Sequence, residues 1–246
     1  MFSILTKHKI CALMFFLSAF LLSAQSLAQL TPTASGPNHE KLYQVEVIVF
    51  GRPEANAQET WPTDIKLTYP ENIVSLPDLD SGSDSGSSEN LVAVPTNERT
   101  LNPQATTLAR SGSYTLLFHQ AWRQTIYASK TNIAISGGKV FNGHHELEGS
   151  ITLSVGQYLK IQTNLWLTKF APAGTNITES WPELPNLPNS FTNDVDASLG
   201  NAIQRIVKLN QERSMRSNEV HYIDHPVMGL IIKIIPVDTT TETTIN

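Results

Sequence analysis

The sequence predicts an α+β domain built mainly of antiparallel β-sheet with a few short helices. Apolar and polar residues alternate in several segments, short Gly-, Pro- and Asn-containing turns separate these segments, and only one or two stretches have helical spacing. Strands joined by short turns favour antiparallel neighbours. The chain has 246 residues, of which 40% are hydrophobic, so a single domain can bury a core without metal or disulfide support.

The N-terminus has the pattern of an export signal. A basic start containing Lys7 and Lys9 is followed by an apolar run over residues 10–22 and by small residues before Ala28. This pattern predicts a signal peptide over residues 1–28, cleaved after Ala28. The apolar run is shorter than the roughly 20 residues of a spanning helix, although an uncleaved anchor is the alternative. No later segment is apolar over such a length, so no membrane span is expected after signal removal.

Signal removal changes the charge and the thiol content. The chain has 17 basic and 22 acidic residues, and loss of Lys7 and Lys9 leaves a formal charge of −7. An acidic chain argues against nucleic acid as a partner. The single cysteine, Cys11, lies in the same segment, so the exported chain is expected to have neither disulfides nor cysteine-bound zinc.

The domain is expected to span residues 42–237. A polar, flexible lead over residues 29–41 precedes it, and a frayed tail over residues 238–246 follows it. Residues 78–90 contain Gly, Ser and Asp with almost nothing to bury, and are predicted to form a disordered loop inside the domain.

The first half of the domain contains two predicted strands and a helix. Alternating apolar residues over 43–49 predict a strand that ends near Gly51. Residues 101–110 predict a short helix that begins at Asn102-Pro103 and stops at Gly112. A second strand is expected over residues 114–122.

The clearest local prediction is a β-hairpin. Apolar residues occupy odd positions both before and after a loop at residues 155–157. A three-residue loop containing glycine keeps odd positions opposite odd ones. The predicted register places Leu153 opposite Leu159 and Ile151 opposite Ile161 on the buried face. Tyr158 is the first residue on the opposite face.

The C-terminal third is less certain in its secondary structure. Residues 171–193 are Pro- and Asn-rich and are expected to be extended, and a short helix is predicted from Asn193 through Ile203. Helix and strand compete over residues 206–215. Except for Lys233, residues 227–236 are apolar at both odd and even positions, which predicts a central strand covered on both faces.

No motif predicts catalysis or a metal centre. The chain has no nucleophile elbow, P-loop or dinucleotide-binding glycine motif. Neighbouring side chains in the His144–Glu146 stretch would point to opposite faces of a strand. His221 and His225 have zincin spacing, but Tyr222 replaces the required glutamate and Pro226 disfavours a helix. A turn entering the last strand is expected there, with no cofactor.

Two features have the chemistry of a binding surface. Trp61 and Trp181 lie in repeated Glu-Ser/Thr-Trp-Pro elements, which would present rings to sugars or fill gaps at the sheet edge. Arg213 and Arg216 concentrate positive charge and would pair with carboxylates or phosphates. A solvated or ion-paired strand edge is the alternative for the two arginines.

The C-terminal block RSMRSNEVHYIDHPVMGLIIKIIP, residues 213–236, resembles the signature of the CsiV family. Ser214 departs from the family pattern, which has a second arginine there. Further similarity lies at residues 43–50, 116–124 and 158–167. The resemblance implies a periplasmic, non-enzymatic protein that binds peptidoglycan and supports cell-wall synthesis and cell shape, through an outer-membrane lipoprotein activator (LpoA) of a class A penicillin-binding protein.

The hypothesis from sequence is therefore a periplasmic peptidoglycan-binding accessory protein. Aromatic side chains would stack on sugars, and arginine and histidine side chains would meet carboxylates of the stem peptide. The candidate binding residues are Trp122, Tyr158, Trp166, Arg213, Arg216, Glu219, His221, Tyr222 and His225.

Two other functions remain open at this point. The first is a peptidoglycan or polysaccharide hydrolase with a carboxylate pair. The pair would be Glu146 with Glu148, or Glu219 with Asp224. The second is a structural envelope assembly protein in which the C-terminal block serves folding alone. Burial and mutual hydrogen bonding of Arg216, Glu219 and His221 would favour that structural role.

Overall fold

Two five-stranded sheets form the fold. The computed structural model describes residues 41–53, 60–77, 91–172, 174–188 and 202–238. Their elements are β1 (Lys41–Gly51), β2 (Ile73–Val74), β3 (Val92–Ala93), a 3₁₀ turn (Thr96–Glu98), α1 (Asn102–Arg110), β4 (Thr115–Ile126), β5 (Thr131–Phe141), β6 (His144–Val155), β7 (Leu159–Phe170), β8 (Ile203–Met215), β9 (Val220–Asp224) and β10 (Met228–Pro236). Sheet A has the order β3-β4-β1-β10-β9, and sheet B has the order β2-β5-β6-β7-β8.

The two sheets pack face to face around a shared core, and the predicted α+β class is confirmed. Every pairing is antiparallel except the short β2–β5 contact. Alternate residues of each long strand point into the core, as the sequence periodicity indicates. Together these residues form one compact domain.

Strand β1 and helix α1 confirm the predictions for the first half of the domain. Tyr43 and Val49 face the core between the sheets. Ile48 and Phe50 point to the other face and are also buried, because α1 covers them with Leu101 and other apolar residues. Sheet A is therefore covered on both faces where α1 lies.

The β6–β7 hairpin has the predicted loop length but a different register. The loop is Gly156–Tyr158, so Leu153 pairs with Ile161 and Val155 pairs with Leu159. The predicted Leu153–Leu159 pairing is thus wrong by two residues. A two-residue shift leaves the same side chains facing the core, so apolar alternation cannot distinguish the two registers.

Residues 206–215, for which the sequence allows either a helix or a strand, form part of strand β8. It pairs with β7 from Leu159–Met215 to Phe170–Ile203. The predicted helix is therefore wrong at Ile203, where the hydrogen bonds of β7 hold an extended backbone; Asn193 lies outside the described residues. Strand β10 is central, between β1 and β9, but Ile231 and Ile235 are only half-buried since α1 covers part of that face.

Several expectations concern residues outside the described ranges. These are the signal peptide over residues 1–28, almost all of the lead, the loop over residues 78–90 and most of the tail. Among the described helices, none has the length and apolar character needed to cross a membrane.

Candidate functional site

The C-terminal block forms the corner where the chain passes from sheet B to sheet A. Strand β8 ends at Met215, a short turn follows, and β9 becomes the edge strand of sheet A. Two side chains of β8 cap this edge: Gln211 Nε2 donates to the carbonyl of Asp224 at 3.2 Å, and Arg213 Nη1 donates to that of Tyr222 at 3.0 Å. Arg213, a predicted ligand contact, thus satisfies an otherwise open strand edge.

Three aromatic rings form a row on the outer face of sheet A. The ring centroid of Phe50 lies 5.3 Å from that of Tyr114, edge to face, and 6.3 Å from that of Tyr222, nearly parallel. Tyr114 and Tyr222 are 39% and 38% exposed, so both flanking rings reach the surface. We call Tyr114, Phe50 and Tyr222 the aromatic row.

A glycine makes the central ring of the row possible. Gly229 of β10 lies opposite Phe50 of β1. A Cβ at this position would lie 2.4 Å from the Phe50 ring, so the ring occupies the space that any larger residue would need. A glycine inside an apolar strand often marks such a close approach.

Arg52 and Asp224 fix the Tyr222 end of the row. Arg52 Nη2 lies 2.6 Å from Asp224 Oδ1, and the Tyr222 hydroxyl donates to the same oxygen at 2.6 Å. The guanidinium also donates to the Tyr222 hydroxyl and lies 5.9 Å from its ring centroid. The aromatic row therefore ends in a hydrogen-bonded group of one cation, one phenol and one carboxylate.

The protonation states of this group follow from its contacts. Burial and the hydrogen bond to Asp224 raise the pKa of Tyr222 to about 12. The hydrogen bond from Tyr222, with the nearby Arg52 charge, lowers the pKa of Asp224. At neutral pH the site thus presents a neutral phenol and an ionised carboxylate beside a guanidinium.

His225 follows Asp224 and stacks on Trp61. The two ring centroids are 5.4 Å apart with an interplanar angle of 28°. The Val227 N–H donates to His225 Nδ1 at 3.4 Å. Trp61 is half-buried against the main core, and Trp181 is half-buried against the cluster around Trp166, which agrees with the gap-filling interpretation of both tryptophans.

The remaining polar candidates lie at the other end of the strands. Tyr158 is exposed in the β6–β7 loop. Arg216 Nη1 lies 3.9 Å from Glu219 Oε1, and His221 Nε2 lies 3.5 Å from Glu219 Oε2. The Arg216 side chain is 72% exposed, and Glu219 is also exposed while His221 is half-buried. The group is therefore not the buried network that would indicate a purely structural role.

Trp122 and Trp166 require a correction, since both are buried, at 1% and 0% exposure. Trp122 lies in the core between the sheets, where its Nε1 donates to Gln124 Oε1 at 2.6 Å. Trp166 lies on the outer face of sheet B, where Tyr69 and Leu67 cover it. Neither ring can stack on a sugar without unfolding its surroundings.

The sequence reasoning missed Arg52, Phe50 and Tyr114. Arg52 and Asp224 are far apart along the chain, and only the β1–β10–β9 pairing brings them together. The one feature of the local sequence that could have indicated the aromatic row was the glycine at position 229 in an apolar strand.

Each of the two sheets contains a fully buried glutamate. Glu46 of sheet A accepts hydrogen bonds from the N–H groups of Thr100 (2.6 Å) and Leu101 (2.9 Å), and its Oε1 lies 2.8 Å from His119 Nε2. Burial alone would raise the pKa of Glu46, but the hydrogen bonds from His119, Leu101 and Thr100 outweigh it and lower the pKa. Glu46 thereby anchors the start of α1 on sheet A.

Glu148 is the corresponding residue of sheet B. It accepts a hydrogen bond from the His145 N–H at 2.8 Å, and both its oxygens lie 3.2 Å from His144 Nδ1. Its burial leaves Glu146 as the accessible member of that carboxylate pair. Within the described ranges, no three His, Cys, Asp or Glu residues are grouped as a metal would require.

A family model described as "Peptidoglycan-binding protein, CsiV" matches residues 15–237, nearly the whole chain. The chain belongs to the CsiV family. The resemblance read from the C-terminal block is thereby confirmed. Comparison with curated proteins and with solved structures gives no significant match.

Proposed function

We propose that this CsiV-family protein binds peptidoglycan in the periplasm and that the aromatic row is the surface that contacts the glycan strand. The family is described as peptidoglycan-binding. The observation that carries the proposal is the row in which the exposed rings of Tyr114 and Tyr222 flank the buried ring of Phe50, and which ends in the Arg52–Asp224 pair. The C–H faces of pyranose rings pack on aromatic planes, and charged groups at the edge of such a platform bond sugar hydroxyls.

The rigidity of the row supports this role. Phe50 is buried against Gly229, and Tyr222 is held by Arg52 and Asp224. A ring that is already fixed loses little conformational entropy when a ligand binds.

The cellular part of the proposal rests on the family resemblance. The protein acts as a non-catalytic accessory factor that supports cell-wall synthesis and cell shape, by contact with a lipoprotein activator (LpoA type) of a class A penicillin-binding protein. It reaches the periplasm after cleavage of its signal peptide following Ala28. N-terminal sequencing of protein purified from the periplasm tests the cleavage site, and a pull-down from the envelope tests the partner.

Pelleting with purified sacculi tests the binding surface. Tyr222→Ala is compared with Tyr127→Ala, because the two side chains are 38% and 37% exposed and Tyr127 follows the far end of β4. Loss of a stacking ring costs about 1–3 kcal/mol, by analogy with base stacking on aromatic side chains. We therefore expect Tyr222→Ala to bind about tenfold more weakly or worse and Tyr127→Ala to bind like the wild type.

Two results would contradict the proposal. Wild-type protein that stays in the supernatant at low salt would reject peptidoglycan binding. Equal binding by wild-type and folded Tyr222→Ala protein would reject the aromatic row as the surface. Release of soluble muropeptides from the sacculi would favour the hydrolase alternative instead.

A further inference from the structure

Lys233 is the one charged residue in the apolar strand β10. Its two neighbours along the strand are fully buried or nearly so in the core between the sheets, and successive side chains of a strand point to opposite faces. Lys233 therefore lies on the outer face of sheet A, between Ile231 and Ile235, and its partner in β9 is Val220. A single ammonium group thus interrupts an apolar surface.

The surface around Lys233 is open to solvent on the side of β9. Val220 is 51% exposed, and Tyr222 is also exposed. Ile231, Lys233 and Ile235 are half-buried, and the cluster under α1 extends only as far as Ile231. We call these five residues the lysine strip.

The ammonium group of Lys233 has no hydrogen bond or ion pair in the part of the chain that the structure describes. The residue opposite it in β1 is Glu46. That carboxylate is fully buried and already has hydrogen bonds with Thr100, Leu101 and His119. Charges attract more strongly beside apolar groups than in bulk water, so Lys233 is well placed to pair with a carboxylate of a ligand.

The lysine strip is continuous with the aromatic row, because Tyr222 belongs to both. Tyr222 pairs with Ile231, and Val220 pairs with Lys233, so Tyr222 and Lys233 are diagonal neighbours on one face of the sheet. Such neighbours lie about 7–8 Å apart in an antiparallel pair. A sugar that packs on Tyr222 would therefore hold its substituents within reach of Lys233.

We infer that the lysine strip binds the stem peptide of peptidoglycan and that Lys233 pairs with one of its carboxylates; the inference rests on the proposed function. The stem is attached directly to the sugar, and it carries both alanine methyl groups and free carboxylates. The methyl groups suit Val220, Ile231 and Ile235, and a carboxylate suits the ammonium group. The sugars of an intact strand are uncharged, so the cation favours the stem as its ligand.

Removal of charge from both partners tests this inference. Native sacculi are compared with sacculi whose carboxylates have been converted to amides, and the wild type is compared with Lys233→Met, which keeps a long apolar side chain. We expect Lys233→Met to bind native sacculi about tenfold more weakly, the loss typical of one charge-assisted hydrogen bond. The two proteins should bind amidated sacculi equally, because the charge pair is then absent from both complexes.

Two further variants control for net charge and for folding. Lys160→Met removes the same charge from the outer face of sheet B, where the lysine is exposed and lies 3.9 Å from Glu212. It should bind native sacculi within about twofold of the wild type. Lys233→Arg keeps the charge and should restore most of the binding. Since Lys233 has no polar partner among the described residues, the unfolding midpoint of Lys233→Met should be unchanged or higher.

The outcomes separate this inference from the proposed function. Equal binding of native sacculi by the wild type and Lys233→Met, with weak binding by Tyr222→Ala, would overturn the inference alone. A loss in Lys233→Met that persists on amidated sacculi would also overturn it, because the partner of Lys233 would not be a carboxylate. The expected loss in Lys233→Met, with normal binding by Tyr222→Ala, would support the stem contact and reject the aromatic row.

Two other results would overturn the inference. Absence of binding by the wild type to either form of sacculi would reject the lysine strip and the proposed function together. Normal binding of both forms by Lys233→Met, with loss of an envelope protein that the wild type retains in a pull-down, would assign the strip to a protein partner instead.

Discussion

Similar side chains lie at the two ends of the strands, but only those at one end are held in place by several contacts. At one end, Arg52 lies 2.6 Å from Asp224, and Tyr222 is fixed between that pair and Phe50. At the other end, Arg216 lies 3.9 Å from Glu219, and both are exposed. Exposed ion pairs of the second kind contribute little free energy. Side chains that their neighbours already fix lose less conformational entropy when a ligand binds.

The difference in order has a structural cause. Near Arg52, β9, β10 and β1 are paired side by side, and Gly229 lets Phe50 lie flat on the sheet. Near Arg216, the chain makes a turn, and Asn218 adopts φ of +66°. Substitutions at matched positions in the two regions should therefore have unequal effects.

The largest contrast is expected between two glutamates. Glu46→Gln should lower the free energy of unfolding by about 3 kcal/mol, because it removes one partner of a buried, hydrogen-bonded pair that anchors α1 next to Phe50. Glu219→Gln, on the exposed turn, should change it by less than about 0.5 kcal/mol. Urea unfolding at pH 7 measures both. Equal effects would show that Glu46 is not the anchor.

Two glycines give the next contrast. Gly229→Ala places a Cβ 2.4 Å from the Phe50 ring, and such overpacking costs about 1–3 kcal/mol. Gly156→Ala, in the β6–β7 loop, meets no atom within 4 Å and should change stability by less than about 0.5 kcal/mol. Unfolding midpoints and near-ultraviolet circular dichroism of the tyrosines test this. A Gly229→Ala variant with an unchanged unfolding midpoint and an unchanged near-ultraviolet spectrum would contradict the described packing of the row.

Removing the hydroxyl group of Tyr222 or of Tyr158 tests the same contrast while keeping the aromatic ring. Tyr222→Phe breaks the hydrogen bond to Asp224 and should weaken sacculus binding about fivefold, which corresponds to about 1 kcal/mol for one hydrogen bond. Tyr158→Phe should leave binding unchanged. If Tyr158→Phe were the weaker binder, the hairpin end would be the site.

The smallest expected effect is in the acid dependence of stability. The pKa of Glu46 is lower in the folded chain than its ordinary value of 4.5, so the unfolded chain binds the proton more tightly. Its contribution is complete above about pH 4.5 and is lost as the pH falls through the lower folded-state pKa. Glu46→Gln should flatten the stability profile in that window. An unchanged slope would mean that the hydrogen bonds to Glu46 do not lower its pKa.

Local sequence information predicted much of the secondary structure. Strand β1 follows from its alternating residues, and α1 follows from Asn102-Pro103 and Gly112. The three-residue loop before β7 was expected, but its register was not, since a two-residue slip preserves the buried face. The helix expected to reach Ile203 gave way to a strand because β7 offers hydrogen bonds along the whole length of β8. Local preference is weaker than a complete ladder of pairings.

For the proposed binding surface, the sequence determined the family and the residue types, and the tertiary structure decided which of these side chains are exposed. The block at residues 213–236 identified the CsiV family and included Tyr222. It could not show that Trp122 and Trp166 are buried, that Arg213 caps a strand edge, or that Arg52 meets Asp224. Burial and ion pairing depend on contacts between strands far apart in the chain, and no local pattern of apolar residues contains that information.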